Sequence, residues 1–208
     1  GVMMPDSGHG INDADKICDY LGIKYMVIPI DGVVAEFHKV WNDQGSDVKW
    51  SKQSEQNIPP RVRMTMLYAL SQTFNGRVAN TCNLSEDFVG YATLFGDAAG
   101  SFAPLSQLTV TEIYQIGDYL GLPYEWVHKI PDDGLPHSSS DEKKFGFSYA
   151  ELDRYIREGI VPEGTCENNP DELKVDKIDR MHRNNKFKTE IVQIPHFDPL
   201  VEVFDLEL

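Results

Sequence analysis

The sequence predicts an α/β fold built on an open parallel sheet with helices on both faces. Short apolar segments at residues 3–4, 25–30 and 77–80 are typical of buried strands. A loop and a helical pattern that ends at Gly22 join the first two, which gives the strand, helix, strand unit of a parallel sheet. Apolar strands with helical crossovers are buried on both faces, so we expect helices on each side.

Two further helices are expected before the third strand. Residues 33–41 have an amphipathic pattern, and the polar segment 42–56 is interpreted as a surface loop. Pro59 and Pro60 predict the start of a long helix, because proline is tolerated in the first turn.

Capping signals mark the helices of the second half. Residues 109–112 and 148–151 have the sequence of capping boxes, which predicts helices that end at Gly121 and near Arg157. A last helix is expected to begin at Asn169.

Composition favours one domain and excludes several partners. The chain has 208 residues and 41% hydrophobic content, which suits a single domain over residues 1–208 with a C-terminal tail at 183–208. A formal charge of -14, from 33 acidic and 19 basic residues, argues against nucleic acid and anionic membranes as partners.

The cysteines and the hydropathy pattern indicate where the protein works. Cys18, Cys82 and Cys166 are odd in number and far apart, so the sequence supports neither a disulfide framework nor a thiolate zinc site. No apolar run approaches the roughly 18 residues that a membrane span needs. We therefore expect a cytoplasmic location and no membrane partner.

The densest group of polar site-type residues lies at residues 77–97. Ser85 is the predicted N-cap of a short helix, which puts Thr81 and Glu86 between the end of a strand and the first helical turn. Open α/β sheets bind ligands at that place, so a nucleotide-phosphate site is suspected. The alternative is an ordinary strand-to-helix connection. Asp97 follows in the next loop and, with Glu86, has the ligand chemistry to share a Mg²⁺.

Three other segments are candidates for the same site. His9 lies in a glycine-containing loop after the first strand, where the backbone either approaches a ligand or makes a plain turn. Either Arg61 or Arg63 is a candidate cation for the cleft, and exposed arginines are the alternative. The polar segment 135–144 is predicted to be a mobile lid.

Several long blocks resemble the NAD synthetases, members of the ATP-pyrophosphatase (N-type) group. The blocks are GVMMP, QNIPPRVRMTMLYALSQ, NTCNLSEDFVGYATLFGD, PLSQLTVTEIYQIGDYLGLP, KIPDDGL, SSSDEKKFGFSYAELDRYI and IDRMHRNNKFK. The resemblance implies an adenine nucleotide alpha hydrolase-like, Rossmann-like fold. It also implies an ATP-dependent ligase that activates deamido-NAD as an adenylate, releases pyrophosphate, and uses ammonia to give NAD and AMP.

The resemblance also implies roles for particular residues. Thr81 matches the family's ATP-contacting threonine, Glu86 its Mg²⁺ ligand, and Arg61 its arginine for deamido-NAD. His182 and Arg183 stand where the family has a His-Lys pair that closes on the substrate. The resemblance assigns no group of this chain to a chemical step, and it implies a homodimer with sites near the subunit interface.

Some positions depart from the family pattern. His9 and Asp132, both expected at the ATP site, stand where many members have Gln and Thr. Leu94 and Val110 replace lysines, and Ser101 replaces an aspartate. These departures put the affected contacts in question.

The resemblance further implies a Ser-Gly-Gly-x-Asp-Ser pyrophosphate loop before the first strand. This loop is not among the 208 residues, so we expect it upstream, and an upstream glutaminase domain is left open. We expect residues 1–208 to be inactive without the loop. The rival hypotheses are a non-catalytic dimeric binding module and another adenylating amidotransferase, such as a GMP or asparagine synthetase.

Overall fold

A short parallel sheet opens the computed structural model, which describes residues 1–6, 11–45, 48–132 and 139–190. Strand β1, Val2–Met3, pairs in parallel with β2, Met26–Val27. Helix α1, Asn12–Leu21, connects them and ends at Gly22, whose φ of 63° is left-handed. The predicted strand, helix, strand unit and the α/β class are confirmed.

The third predicted strand, residues 77–80, does not join this sheet. Its backbone pairs instead with the loop that follows, through a parallel bridge between Ala79 and Phe102. Asn80 N donates to Phe102 O over 2.8 Å and Ser101 N donates to Val78 O over 2.7 Å, so this segment pairs with that loop and not with β1. The prediction of one sheet containing all three segments is therefore wrong for the described residues.

Helices α2, Asp31–Asp43, and α3, Lys52–Thr73, follow β2. The prediction that residues 52–56 are loop and that the helix begins at the prolines is wrong. Ser51 caps α3 by accepting a hydrogen bond from Ser54 N, so Pro59 and Pro60 lie inside the helix. Their missing N–H groups are offset by packing, because Ile58, Pro59 and Val62 are buried.

The second half begins with five helices. They are α4, Leu84–Val89; α5, Val110–Tyr119; α6, Tyr124–Val127; α7, Asp141–Phe145; and α8, Tyr149–Glu158. The capping boxes of α5 and α8 form as predicted, with Thr109 and Ser148 as N-caps. Residues 141–145, which belong to the predicted lid, are instead a helix whose Asp141 and Phe145 are buried, while residues 133–138 lie outside the described part.

A hairpin and a helix complete the described chain. β3, Thr165–Cys166, pairs antiparallel with β4, Asn169–Leu173, before α9, Lys174–Asn185, and a 3-10 turn at Lys186–Lys188. The predicted helix start at Asn169 is wrong because the hairpin keeps the backbone extended as far as Leu173.

Two apolar clusters hold these elements. One joins α3 to the parallel sheet through Met4, Ile30, Ile58 and Val62. The larger one joins α4, α5, α8 and α9 through buried side chains that include Val89, Leu152 and Ile178. Among the described helices, none combines the length and apolarity that crossing a bilayer requires.

Candidate functional site

A cavity of about 530 Å³ lies where α3, the segment after Ala79, α4 and α7 meet. Five residues that the sequence analysis named as candidates line it, namely Arg63, Thr81, Glu86, Asp97 and Asp132. The cavity is the place at which the segments that carry these residues, distant in sequence, come together.

Glu86 is positioned by the start of α4. Asn83 is the N-cap: its side chain accepts from Glu86 N over 3.0 Å, while Asn83 N donates to Glu86 Oε2 over 2.9 Å. The prediction that Ser85 caps this helix is wrong, since Ser85 already lies within it. Burial raises the pKa of the Glu86 carboxyl to about 7, and neighbouring carboxylates, chiefly Asp141, add to the rise.

Asp97 lines the same cavity as Glu86. Its Oδ1 accepts a hydrogen bond from Thr93 N over 3.0 Å, which fixes the loop after α4. The negative charge of Asp97 contributes to the raised pKa of Glu86. Thr81 lines the same cavity, and its hydroxyl bonds to no other side chain or backbone group in the described ranges, so a ligand can take it.

Cys82 also lines the cavity but is unsuited to nucleophilic chemistry. Burial raises the pKa of its thiol to about 12, and nearby carboxylates, first Glu86, add to the effect. A thiol with so high a pKa stays protonated at neutral pH.

The two candidate arginines of α3 differ in position. Arg63 lines the cavity, and its Nε donates to Met4 O over 2.9 Å at the end of β1. Its outer N–H groups make no other hydrogen bond within the described structure, and burial lowers its pKa. Arg61 is exposed, donates from Nε to Leu94 O over 3.1 Å, and lies outside the lining of this cavity.

The predicted His182 and Arg183 do not reach the cavity either. The His182 ring stacks on Phe88 with centroids 4.2 Å apart, and its Nδ1 lies 2.8 Å from Phe88 O. Arg183 is exposed. The basic residue of this segment that lines the cavity is Lys188, which the sequence analysis did not single out.

The remaining predicted residues differ in their position relative to the cavity. Asp132 is exposed at the cavity lining, while His9 lies outside the described residues. Leu94 contributes its carbonyl oxygen as the acceptor for Arg61.

A buried polar group that the sequence did not single out completes the wall beside Glu86. Asp141 is 3% exposed and accepts from Tyr91 Oη over 3.0 Å. Lys144 Nζ donates to Tyr91 Oη over 2.9 Å, and Tyr149 Oη lies 3.4 Å from Asp141. The sequence signal was an Asp and a Lys spaced i, i+3 beside an aromatic run, within a segment interpreted as a lid.

The donor set near Glu86 fits Mg²⁺ that is shared with phosphates. Within the described ranges, no group of three or more His, Cys, Asp or Glu residues is arranged to hold a metal alone. Glu86 and Asp97 are oxygen donors, and Mg²⁺ is commonly held by one or two carboxylates together with substrate phosphates. The carboxylates of this cavity therefore fit a nucleotide-bound Mg²⁺ better than a structural metal.

Comparison with known proteins gives a consistent result. The NAD synthase family model matches residues 1–192. An NH(3)-dependent NAD(+) synthetase of Archaeoglobus fulgidus is 32% identical over 209 residues, which cover 99% of this chain and 78% of that protein.

Two solved structures are similar as well. An NMN synthetase from Francisella tularensis superposes with a TM-score of 0.81 at 26% identity, over 94% of this chain and 78% of the other. An NH3-dependent NAD synthetase from Campylobacter jejuni gives a TM-score of 0.66 at 25% identity, over 94% and 77% of the two chains. The sequence blocks, the carboxylate-lined cavity and these matches agree: the chain belongs to the NAD synthase family.

Proposed function

We propose that the protein amidates deamido-NAD to NAD at the expense of ATP, with ammonia as the nitrogen donor. The observation that carries this proposal is the family match over residues 1–192, joined to relatives that are NH(3)-dependent synthetases. The substrate carboxylate attacks the α-phosphorus of ATP, and pyrophosphate leaves. Ammonia then attacks the acyl carbon, AMP leaves, and one proton is released.

The cavity supplies the electrostatics that adenylation needs. Mg²⁺, when bound by Glu86 and Asp97 with the phosphates, neutralises charge on the triphosphate. Arg63 of α3 and Lys188, which are far apart in sequence, present cationic donors to the same cavity. Thr81 offers an unengaged hydroxyl to the nucleotide. Fixed donors of this kind act most strongly where charge develops in the transition state.

The substrate contacts of Arg61, His182 and Arg183 remain predictions. All three side chains lie outside the cavity lining in a single described chain. Arg61 is exposed and donates from Nε to Leu94 O, so its outer N–H groups are accessible to a ligand or to a second protomer. His9 and Asp132 likewise remain predicted ATP contacts.

A homodimer is part of the proposal. Helix α2 has no buried residue. Val33, Phe37 and Val40 are 44%, 51% and 54% exposed, and their i, i+4, i+7 spacing puts them on one face of the helix. An apolar face of this kind is typical of a protein interface. Sedimentation at micromolar concentration should give a dimer, and a monomer would contradict this part.

We also propose one catalytic domain over residues 1–208, a tail beginning at residue 183, and a cytoplasmic location. All three cysteines are free thiols, which suits a reducing compartment. Free ammonia is the proposed donor, as the names of the ammonia-dependent relatives suggest. The matches favour a ligase over a non-catalytic module.

The test is a product assay with protein expressed from the full coding sequence. Deamido-NAD, ATP, Mg²⁺ and ammonium chloride should yield NAD, AMP and pyrophosphate in equal amounts. Glutamine in place of ammonium tests the donor: an ammonia-dependent enzyme yields no NAD from it, and NAD formation would reveal a glutaminase domain upstream. Absence of NAD at saturating substrates would contradict the proposal.

A second candidate is amidation of nicotinate mononucleotide. The similarity to the NMN synthetase, with its TM-score of 0.81, favours it. Both substrates share the nicotinate carboxylate and differ by the AMP half, so the same chemistry serves either. Competition between the two substrates at equal concentration in one reaction decides, because the initial ratio of NMN to NAD formed equals the ratio of the kcat/KM values of the two substrates.

A further inference from the structure

A buried hydrogen-bond network begins at Ser85, the residue next to Glu86 in α4. Ser85 and Asp153 are 0% and 3% exposed. Ser85 Oγ donates to Asp153 Oδ1 over 2.5 Å and accepts from Val110 N over 3.1 Å. Asp153 Oδ2 accepts from Thr111 N over 2.8 Å. Neither Ser85 nor Asp153 lines the cavity.

Asp153 is a buried carboxylate that forms no ion pair in the described ranges. No Lys, Arg or His nitrogen in the described ranges lies within 4.0 Å of it. Its oxygens are used instead by the amino-terminal end of α5 and by Ser85. Amide groups at a helix start carry partial positive charge, so this arrangement stabilises the carboxylate and fixes both groups in direction.

The network joins three helices at one point. Asp153 belongs to α8, Val110 and Thr111 to α5, and Ser85 to α4. Helix α4 has only six residues, too few to hold its own orientation in water. Contacts with its neighbours must therefore set the direction in which it points.

Ser85 and Glu86 are consecutive in the first turn of α4, so their side chains diverge by about 100° around the helix. The Ser85 side chain reaches inward to α5 and α8, while Glu86 lines the cavity. Anchoring the first fixes the rotation of the helix and therefore the position of the second.

We propose that Asp153, acting through Ser85, is a positioning residue for the Glu86 carboxylate that binds metal-nucleotide. The inference rests on the proposed function only in taking Glu86 as the carboxylate that meets the cation. Asp153 touches neither substrate nor cation.

The test measures metal-nucleotide binding as well as catalysis. Mn²⁺ replaces Mg²⁺ as a spin probe, and its affinity in the presence of ATP is measured by electron paramagnetic resonance. Asp153→Asn and Ser85→Ala should each weaken Mn²⁺ binding roughly fivefold to tenfold and lower kcat. The KM for deamido-NAD should stay within about twofold. Ser85→Thr, which keeps the hydroxyl, should restore the affinity in part.

Glu112→Gln is the matched control. Glu112 Oε2 lies 2.6 Å from Arg157 Nη2, so this variant weakens an ion pair that joins the same helix start to α8 from its exposed side without touching Ser85. It should lower the thermal midpoint and leave Mn²⁺ affinity unchanged.

The outcomes separate the two ideas. If Asp153→Asn and Ser85→Ala lose stability as the control does but keep wild-type Mn²⁺ affinity, the positioning role is overturned. Wild-type protein that binds Mn²⁺ and ATP but forms no NAD would overturn the proposed function and leave the positioning role intact. Wild-type protein that binds no Mn²⁺ with ATP would overturn both.

Discussion

The ammonium group of Lys188 lies 2.7 Å from the carbonyl oxygen of Gly90 and 3.0 Å from that of Ala92. Gly90 is the C-cap of α4 and Ala92 follows it, so both carbonyls lie at the end of the helix where its dipole favours a cation. The third N–H of Lys188 has no acceptor in the described part of the chain, and burial lowers the pKa of the side chain. A lysine held in this way at a cavity lining is prepared to receive an anion.

Lys188→Met should weaken ATP binding by about 1.5 to 3 kcal/mol, which is roughly tenfold to a hundredfold, because a charged hydrogen bond is lost. Isothermal titration with ATP and Mg²⁺ measures the change. Lys186→Met is the control, since Lys186 is exposed and pairs with Glu190. Equal effects of the two substitutions would mean that Lys188 does not face the ligand.

Glu86→Gln should lower kcat steeply, roughly 10²- to 10³-fold, while the affinity for deamido-NAD stays nearly intact. Glutamine keeps the shape of the side chain and its acceptor for Asn83 N, so only the charge is removed. Steady-state kinetics at saturating ATP give the result, provided the thermal midpoint does not fall. A small change in kcat would contradict the assignment of Glu86 as a ligand of the metal.

The two arginines of α3 should affect different substrates. Arg63→Met should weaken the binding of ATP, because Arg63 lines the cavity. Arg61→Ala should weaken the binding of deamido-NAD by about 1.5 to 3 kcal/mol, with a smaller effect on the binding of ATP. The KM for each substrate, measured for both variants, tests this. If both substitutions raised the KM of the same substrate, the two arginines would not belong to separate subsites.

Stability of the metal-free protein should depend on pH through Glu86. Its pKa is raised from 4.5 to about 7 in the folded state, so the folded protein holds this proton more tightly than the unfolded chain does. The free energy of unfolding therefore falls as pH rises through this window.

Glu86→Gln should remove this decrease in the free energy of unfolding. The variant should be more stable than wild type by about 1 to 3 kcal/mol at pH 8, and the two proteins should not differ in this way at pH 4. Urea unfolding with a chelator present measures both proteins. Parallel pH profiles would show that the carboxyl is not perturbed.

Gly90→Ala should destabilise the fold far more than Gly159→Ala. Both glycines have left-handed φ, 67° and 68°, so each alanine costs about 1 kcal/mol. At Gly90 a Cβ would also lie 2.1 Å from Asn185 Cβ, whereas at Gly159 it would meet nothing within 4 Å. Overpacking adds about 1 to 3 kcal/mol at the first site only. Equal urea midpoints for the two variants would show that α9 moves away freely.

Local signals predicted part of this structure well. The capping boxes at Thr109 and Ser148 formed because their partners lie three residues away. Ser85 was misassigned because its hydroxyl is used by Asp153, 68 residues later, a contact that no local pattern contains. The start of α3 was missed because burial of Ile58 and Val62 outweighs the cost of two internal prolines.

The candidate site shows the same division. Thr81, Glu86 and Asp97 lie within 17 residues of one another, and the sequence placed them together. The cations depended on tertiary packing: His182 is held against Phe88, and Lys188, six residues later, reaches the cavity instead. Asp141 escaped notice because its burial comes from α7 packing into the core.

The hydrogen bond from Asn83 N to Glu86 Oε2 gives the cavity a built-in signal. The amide belongs to the backbone, yet its acceptor is the carboxylate proposed to meet the cation. When that carboxylate is protonated or shares its charge with a ligand, the hydrogen bond becomes weaker and the electron density at the amide nitrogen changes. The ¹⁵N–¹H resonance of Asn83 therefore follows the occupancy of the cavity, and a nuclear magnetic resonance titration can read it without labelling any ligand.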